Sequence, residues 1–151
     1  MLIRTHLIIA LFFSLIFLNY FDNKLLFLII VLISTFIPDI DSRFSKLGKI
    51  IIFRPLQFFA GHRKIFHSFL FLGLISFPLF FISKTIFYGF ILGYGLHLFV
   101  DCFSVMGIKP FYPFEYKVRG FIRTGGFFET IWFYIFLFIS FWLIIRYFLI
   151  V

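Results

Sequence analysis

The sequence contains a single cysteine, Cys102, so no disulfide can form within the chain and no metal site can be built from several thiolates. Charged side chains are also scarce, because Asp, Glu, Lys and Arg make up 13% of the 151 residues whereas 63% are hydrophobic. A soluble domain of this length has too little interior to bury so much apolar side chain. The composition therefore excludes a soluble protein and indicates an integral membrane protein.

Apolar runs, separated by short polar segments, cover most of the chain. About 20 apolar residues are needed to cross the hydrocarbon core of a bilayer, and the second and third runs are shorter than that. We therefore predict one domain, residues 1–151, that is all-α: a polytopic membrane bundle of four to five transmembrane helices. Pro38 is expected to end the second helix near Phe36 and to leave residues 38–41, "PDID", in a non-helical turn. The runs lie at about residues 6–21, 25–37, 68–82, 86–105 and 128–150.

Basic residues are distributed unevenly between the loops. Residues 42–67 hold six of the fourteen, mixed with bulky apolar side chains, and are predicted to form an interfacial helical loop. With a cytoplasmic N-terminus, eleven of the fourteen face the cytoplasm, which predicts a multi-pass protein of the inner or plasma membrane in that orientation. The net charge of +8 favours anionic lipid headgroups as partners. Nucleic acid is not expected, because no recognisable binding module is present; the oligomeric state is left open.

Every histidine and half of the acidic residues are predicted to converge on the cytoplasmic side. His97 and Asp101, four residues apart, share one helix face near its end. An aspartate at membrane depth costs about 2.5–3.5 kcal/mol on insertion scales and needs a partner. Single residues of this kind are commonly helix caps or snorkelling side chains, but their convergence has one simple cause, a bound metal ion. The predicted pool of ligands and their supporting residues is His6, Asp39, Asp41, His62, His67, His97 and Asp101.

Imidazole and carboxylate ligands suit a divalent ion, with Zn²⁺ the first choice. The pool is large enough for one or two ions that would activate water and neutralise an oxyanion. Asp41, His67 and Arg63 are the predicted catalytic residues, and the Arg63 guanidinium suits bidentate contact with a phosphate. An equally weighted alternative makes Arg63 a positive-inside anchor.

Several smaller features accompany this pool. Ser68 is expected to cap the third helix. Gly89, Gly93 and Gly95 are expected to let a neighbouring helix approach closely beside His97. Glu129 is either an additional ligand or a favourable carboxylate in the first turn of the last helix.

The order of these motifs carries a family resemblance. His6 is followed by "PDID" at 38–41, "GHRKIFHS" at 61–68, "LGYGLHLFVD" at 92–101 and "GIKPFYPF" at 107–114. This pattern resembles the YdjM family of bacterial and archaeal inner-membrane proteins, which are classed as LexA-regulated metal-dependent hydrolases. The chain departs from it at Phe66, where the family has Thr, and at Ser104-Val105, where it has Thr-Pro. The resemblance implies a metal site and a hydrolase of the phosphoesterase or phospholipase kind.

Three functions remain in competition. The first is a metal-dependent hydrolase acting on a phosphate or other ester, such as a phospholipid, at the cytoplasmic headgroup level. The second is a metal-coupled or proton-coupled transporter, whose site would lie nearer the bilayer midplane than these residues do. The third is a non-catalytic scaffold with a closed metal site. The position of the polar residues near one end of the helices favours the hydrolase.

Overall fold

The computed structural model of the protein describes residues 1–41 and 65–150. Within these ranges the chain forms five α-helices and no β-strand, so the predicted all-α class is confirmed. Short 3-10 helices, Leu18–Tyr20 and Ile37–Asp41, follow the first two α-helices. Most of the predicted interfacial loop lies outside the described residues. The α-helices are α1 (Ile3–Phe17), α2 (Lys24–Phe36), α3 (Phe69–Ile82), α4 (Lys84–Cys102) and α5 (Phe127–Ile150).

Three described segments are long and apolar enough to cross a bilayer: Ile3–Tyr20, Lys84–Cys102 and Phe127–Tyr147. Helices α2 and α3 have 13 and 14 residues, in agreement with the short second and third apolar runs. The outward faces of α3 and α5 carry large exposed apolar side chains, including Phe77, Phe81 and Phe138. Such continuous apolar surface is stable against lipid tails and unfavourable in water. The architecture is that of a helical membrane bundle.

The ends of α2 and α3 show which local predictions were correct. Helix α2 ends at Phe36, as predicted, and the Ser68 hydroxyl caps α3 by accepting a hydrogen bond from the Phe71 N–H at 3.2 Å. The prediction of a non-helical turn after Phe36 was wrong. Ile37 keeps helical torsion angles, φ −63° and ψ −41°, and residues Ile37–Asp41 wind on as a 3-10 helix. The preference of a residue before proline for extended backbone is a bias that the tighter 3-10 winding has overridden here.

Helices α2 and α4 pack with their backbones close together. A Cβ atom at Gly93 would overlap the Val31 carbonyl oxygen and the Ser34 hydroxyl, and one at Gly89 would lie 3.1 Å from Ile30 Cγ2. This confirms the close approach predicted from the glycines, with Gly95 facing Leu72 of α3 instead. Small residues at the crossing allow α2 to lie directly against the helix that carries His97 and Asp101.

The connection between α4 and α5, residues 103–126, is folded against the end of the bundle. Backbone hydrogen bonds join Ile108 to Val118 in both directions, at 3.0 and 2.9 Å, and Ile122 N–H to the Phe103 carbonyl at 2.9 Å. Ile108 is buried among side chains of α3 and α4, and Ile122 among side chains that include Ile8 and Ile9 of α1. The connection is therefore fixed to the bundle at two points.

Candidate metal centre

Five of the predicted side chains meet at one end of the bundle, from segments far apart in sequence. His6 comes from the second turn of α1, His67 from the turn before α3, and His97 and Asp101 from the last turns of α4. Asp39 comes from the 3-10 helix after α2, which the glycine-lined crossing holds against α4. The five side chains form two donor groups that share His97. Within each group the ligand atoms lie within 4.8 Å of one another. The groups are His6, His97 and Asp101, and Asp39, His67 and His97.

The Asp101 carboxylate faces all three histidines. Its Oδ1 lies 3.4 Å from His6 Nε2. Its Oδ2 lies 3.7 Å from His67 Nε2 and 3.8 Å from His97 Nε2. The same carboxylate thus presents one oxygen to α1 and the other to α3 and α4, an arrangement that suits either a single ion or a carboxylate bridge between two.

Asp39, from the 3-10 helix after α2, faces two of these imidazoles, His67 and His97. Its Oδ1 lies 3.9 Å from His67 Nε2 and 3.8 Å from His97 Nε2. Around a tetrahedral zinc with bonds of about 2.0–2.2 Å, ligand atoms lie about 3.3–3.6 Å apart. The separations in the protein are slightly wider, so a small inward movement of the side chains would complete such a site.

The orientation of His97 is set by a backbone carbonyl. His97 Nδ1 lies 2.8 Å from the Thr35 carbonyl oxygen, which can only accept a hydrogen bond, so Nδ1 carries the proton. In a 3-10 turn the Thr35 carbonyl would accept from the residue three positions on, but that residue is Pro38, which has no N–H. The proline of the "PDID" motif thus leaves this carbonyl open to His97. The Nε2 lone pair is consequently directed at the two carboxylates, as metal-binding histidines require.

Buried imidazole nitrogens without a hydrogen-bond partner are free to bind a metal ion, so they test whether the cluster fits one. His97 Nε2 and His6 Nδ1 are buried and make no hydrogen bond with a described residue, and His6 Nε2 faces the Asp101 carboxylate at 3.4 Å. The His6 and His97 rings are stacked, with centroids 4.0 Å apart and planes 7° from parallel. The stacking brings His6 Nε2 and His97 Nε2 to the same Asp101 carboxylate, and a neutral imidazole nitrogen is the form that binds metal. The donor set fits a divalent cation.

Four of the five side chains are buried, and Asp39 is the most accessible, with 23% of its side chain exposed. Burial raises the pKa of the Asp39 carboxyl, and the neighbouring His6 and His67 imidazoles oppose that rise. A bound cation would favour the ionised carboxylate in the same way as the imidazoles, but more strongly. Asp39 is therefore the member of the cluster that is closest to solvent.

Two further groups lie near the cluster. Sequence reasoning missed the first, the Met1 amino group, and left the second, Glu129, as either a ligand or a first-turn carboxylate. The amino group of Met1 lies 2.6 Å from Asp101 Oδ1, so positive charge is accommodated on the α1 side of this carboxylate. Glu129 accepts hydrogen bonds from the Leu2 N–H at 2.6 Å and the Gly125 N–H at 2.5 Å. Its buried carboxylate thus fixes the start of α1 to the start of α5, a structural role. No local pattern reveals the Met1–Asp101 and Leu2–Glu129 contacts, because they join residues 100 and 127 positions apart.

Three predicted site residues remain without a structural account. The backbone of Asp41 ends the 3-10 helix, but its side chain is not described. His62 and Arg63 lie outside the described residues. That Asp41 and His62 are metal ligands, and that Asp41 and Arg63 are catalytic, stays a prediction. Metal ligation by the five clustered side chains also stays a prediction.

Known proteins similar to this chain share its whole length or a large part of it. The model of a family described as YdjM inner membrane protein matches residues 1–150. A curated relative, the uncharacterized protein YvsG of Bacillus subtilis (strain 168), is 32% identical over 105 residues. That alignment covers 66% of this chain and 66% of the relative. No solved structure gives a significant match.

Proposed function

This chain belongs to the YdjM inner membrane protein family, and on that premise we propose that it is a metal-dependent hydrolase embedded in the membrane. Its substrate is a phosphate or other ester at the level of the lipid headgroups, with a phospholipid as the leading class. The observation that carries the proposal is the buried cluster of three imidazoles around Asp101, which Asp39 completes on its accessible side. Buried ionisable groups in a membrane protein are expensive and are retained for function.

In this proposal His6, His67, His97, Asp39 and Asp101 are the pool of ligands, and about three of them would bind a catalytic zinc and leave one position open. A divalent ion bound there supplies a Lewis acid, lowers the pKa of a water molecule and neutralises charge on the ester. The Thr35 carbonyl keeps His97 in the tautomer that leaves Nε2 as its ligand atom. Asp39, as the accessible member, accepts a proton from water at the mouth of the cluster. The four buried side chains exclude bulk water from the remaining sides.

The ion count follows from His97. His97 Nδ1 is hydrogen-bonded to the Thr35 carbonyl, so His97 offers a single ligand atom, Nε2. His97 nevertheless belongs to both donor groups. Two ions could not both bind His97 Nε2 and would need Asp101 as a bridge, since its two oxygens face different histidines. We propose that the cluster would hold one ion firmly, with Zn²⁺ as its identity, and that a second ion would bind more weakly.

The non-catalytic scaffold is the second candidate, because four of the five side chains are buried. A closed structural zinc site has four protein ligands and no open position. A scaffold and a hydrolase would both retain metal, and only a hydrolase would cleave an ester. Metal content and activity must therefore be measured together.

Purified protein is expected to contain at least one equivalent of divalent metal and to hydrolyse an ester. The measurement is elemental analysis of detergent-purified protein, followed by assays with phospholipids and generic phosphate esters, before and after treatment with a chelator. Metal below about 0.2 equivalents after reconstitution would contradict the site, because a pool of this size should hold one ion firmly. Full metal content without hydrolysis of any ester would favour the scaffold.

The proposed orientation, with the N-terminus and the metal cluster on the cytoplasmic side, is tested separately. Arg119→Cys and Lys84→Cys place exposed thiols at opposite ends of the bundle, in a Cys102→Ala background without native thiols. An impermeant maleimide added to sealed inverted vesicles should label position 119 and spare position 84, with the reverse pattern in right-side-out vesicles. Labelling of both positions from one side would contradict the topology.

A further inference from the structure

One strand-like segment in the connection between α4 and α5 presents a strip of basic side chains. Residues 117–123 alternate between exposed and covered positions, which is the pattern of an extended chain lying on a surface. Val118 is hydrogen-bonded to Ile108, Gly120 N–H to the Ser104 carbonyl at 3.0 Å, and Ile122 is buried. The alternate positions point outward. We call them the basic strip, and they are Lys117, Arg119, Phe121 and Arg123.

The cations of the basic strip are not neutralised by the described part of the protein. Glu115 is the nearby acidic residue in this connection, and it pairs with Lys109 at 3.1 Å. Lys117, Arg119 and Arg123 form no ion pair with a described residue. Among the described residues the strip therefore presents three positive charges without an acidic partner, with one aromatic ring among them.

Aromatic contacts hold the connection that carries the basic strip against the starts of α3 and α5. The Phe121 ring lies against Phe128 in the first turn of α5, with centroids 6.1 Å apart. Phe111 of the same connection lies 6.1 Å from Phe69 in the first turn of α3. Helix α5 is apolar enough to cross a bilayer, so the strip lies at the end of a candidate membrane span.

We propose that the basic strip is a binding surface for anionic phospholipid headgroups, in which Lys117, Arg119 and Arg123 contact phosphates and Phe121 inserts at the level of the glycerol groups. Arginine is suited to bidentate contact with phosphate, and exposed cations that no described carboxylate neutralises favour an anionic headgroup. Each basic residue at a membrane surface adds about fivefold in affinity for anionic lipid. The proposal does not depend on a metal or on hydrolysis.

The test uses the full-length protein in detergent, titrated with phosphatidylglycerol or with phosphatidylcholine of the same acyl chains, and bound lipid is counted by native mass spectrometry. The protein should prefer phosphatidylglycerol, and the preference should decline as salt is raised. Arg119→Ala combined with Arg123→Ala should weaken phosphatidylglycerol binding about 25-fold. The matched control is Lys84→Ala combined with Arg146→Ala, which removes two exposed charges at the far end of the bundle and should have no such effect.

Arg119→Lys combined with Arg123→Lys should keep most of the affinity, which separates loss of charge from disruption of the connection. Metal content of every variant should equal that of the unmodified protein, so a failure of this proposal is distinguishable from a failure of the metal site. Equal binding of the two lipids, or an equal loss in the Lys84 and Arg146 control, would overturn the proposal. It would also be overturned by binding of a single-stranded oligonucleotide in place of phosphatidylglycerol.

Discussion

Replacing Asp101 by alanine is expected to reduce metal affinity by at least about 100-fold, because removal of a residue that merely supports a ligand already costs 10–100-fold. Asp101 is the carboxylate that faces His6, His67 and His97 at 3.4, 3.7 and 3.8 Å. Without it, three imidazoles and Asp39 would remain, so the site would lose one of its two described carboxylates. Metal content after dialysis, with hydrolysis of any ester found to be a substrate, measures the effect. His97→Ala should behave in the same way.

The matched control is Cys102→Ala, one residue further along α4. Cys102 packs with the apolar side chains of α3 and α4, about 100° around the helix from Asp101. Its replacement should leave metal content and activity unchanged, and all three variants should insert into the membrane. Asp101→Asn keeps the shape of the side chain and removes its charge. Retention of metal by both Asp101 variants would show that the carboxylate is a structural group and would contradict the centre.

The lengths and positions of the apolar runs predicted the helices of the fold well. The apolar runs became helices with ends within a few residues of the predicted ones, because a membrane bundle satisfies its backbone within each helix. The motif order identified the family correctly. The winding after Phe36 was not predictable from Pro38 alone, since the proline restricts Ile37 only weakly and the tertiary contact between Thr35 and His97 is not local.

The sequence predicted which side chains meet at the candidate site. It did not predict their contacts or the orientation of their rings. Topology brings His6, His67 and His97 to one end, because each lies at the same end of its helix or turn. The stacking of His6 on His97 and the choice of Nε2 as the free nitrogen depend on contacts between helices. From sequence the basic residues predicted the orientation and a general preference for anionic headgroups. The basic strip itself was not predicted, because its alternation depends on the partner residues Ile108 and Ser104.

The second large effect is expected at Gly93, where alanine should destabilise the protein by about 3 kcal/mol or more, the upper part of the range for overpacking a tight contact. The added Cβ atom would overlap the Val31 carbonyl oxygen and the Ser34 hydroxyl. A backbone carbonyl cannot rotate away as a flexible side chain can, so α2 must move from α4. Because α2 leads into the segment with Thr35 and Asp39, the movement would also turn His97 and withdraw Asp39. Metal should be lost together with stability.

Gly95→Ala, two residues along the same helix, is the matched control for this prediction. A Cβ atom at Gly95 would meet Leu72 Cδ2 at 3.7 Å, an ordinary contact. Alanine is better than glycine in a helix by about 1 kcal/mol, so this variant should be as stable as the unmodified protein or slightly more stable. Thermal unfolding in detergent, with metal content measured on the same samples, compares the two. Equal stability of the Gly93→Ala and Gly95→Ala variants would mean that α2 and α4 do not pack in this register, and the geometry of the metal centre would fail with it.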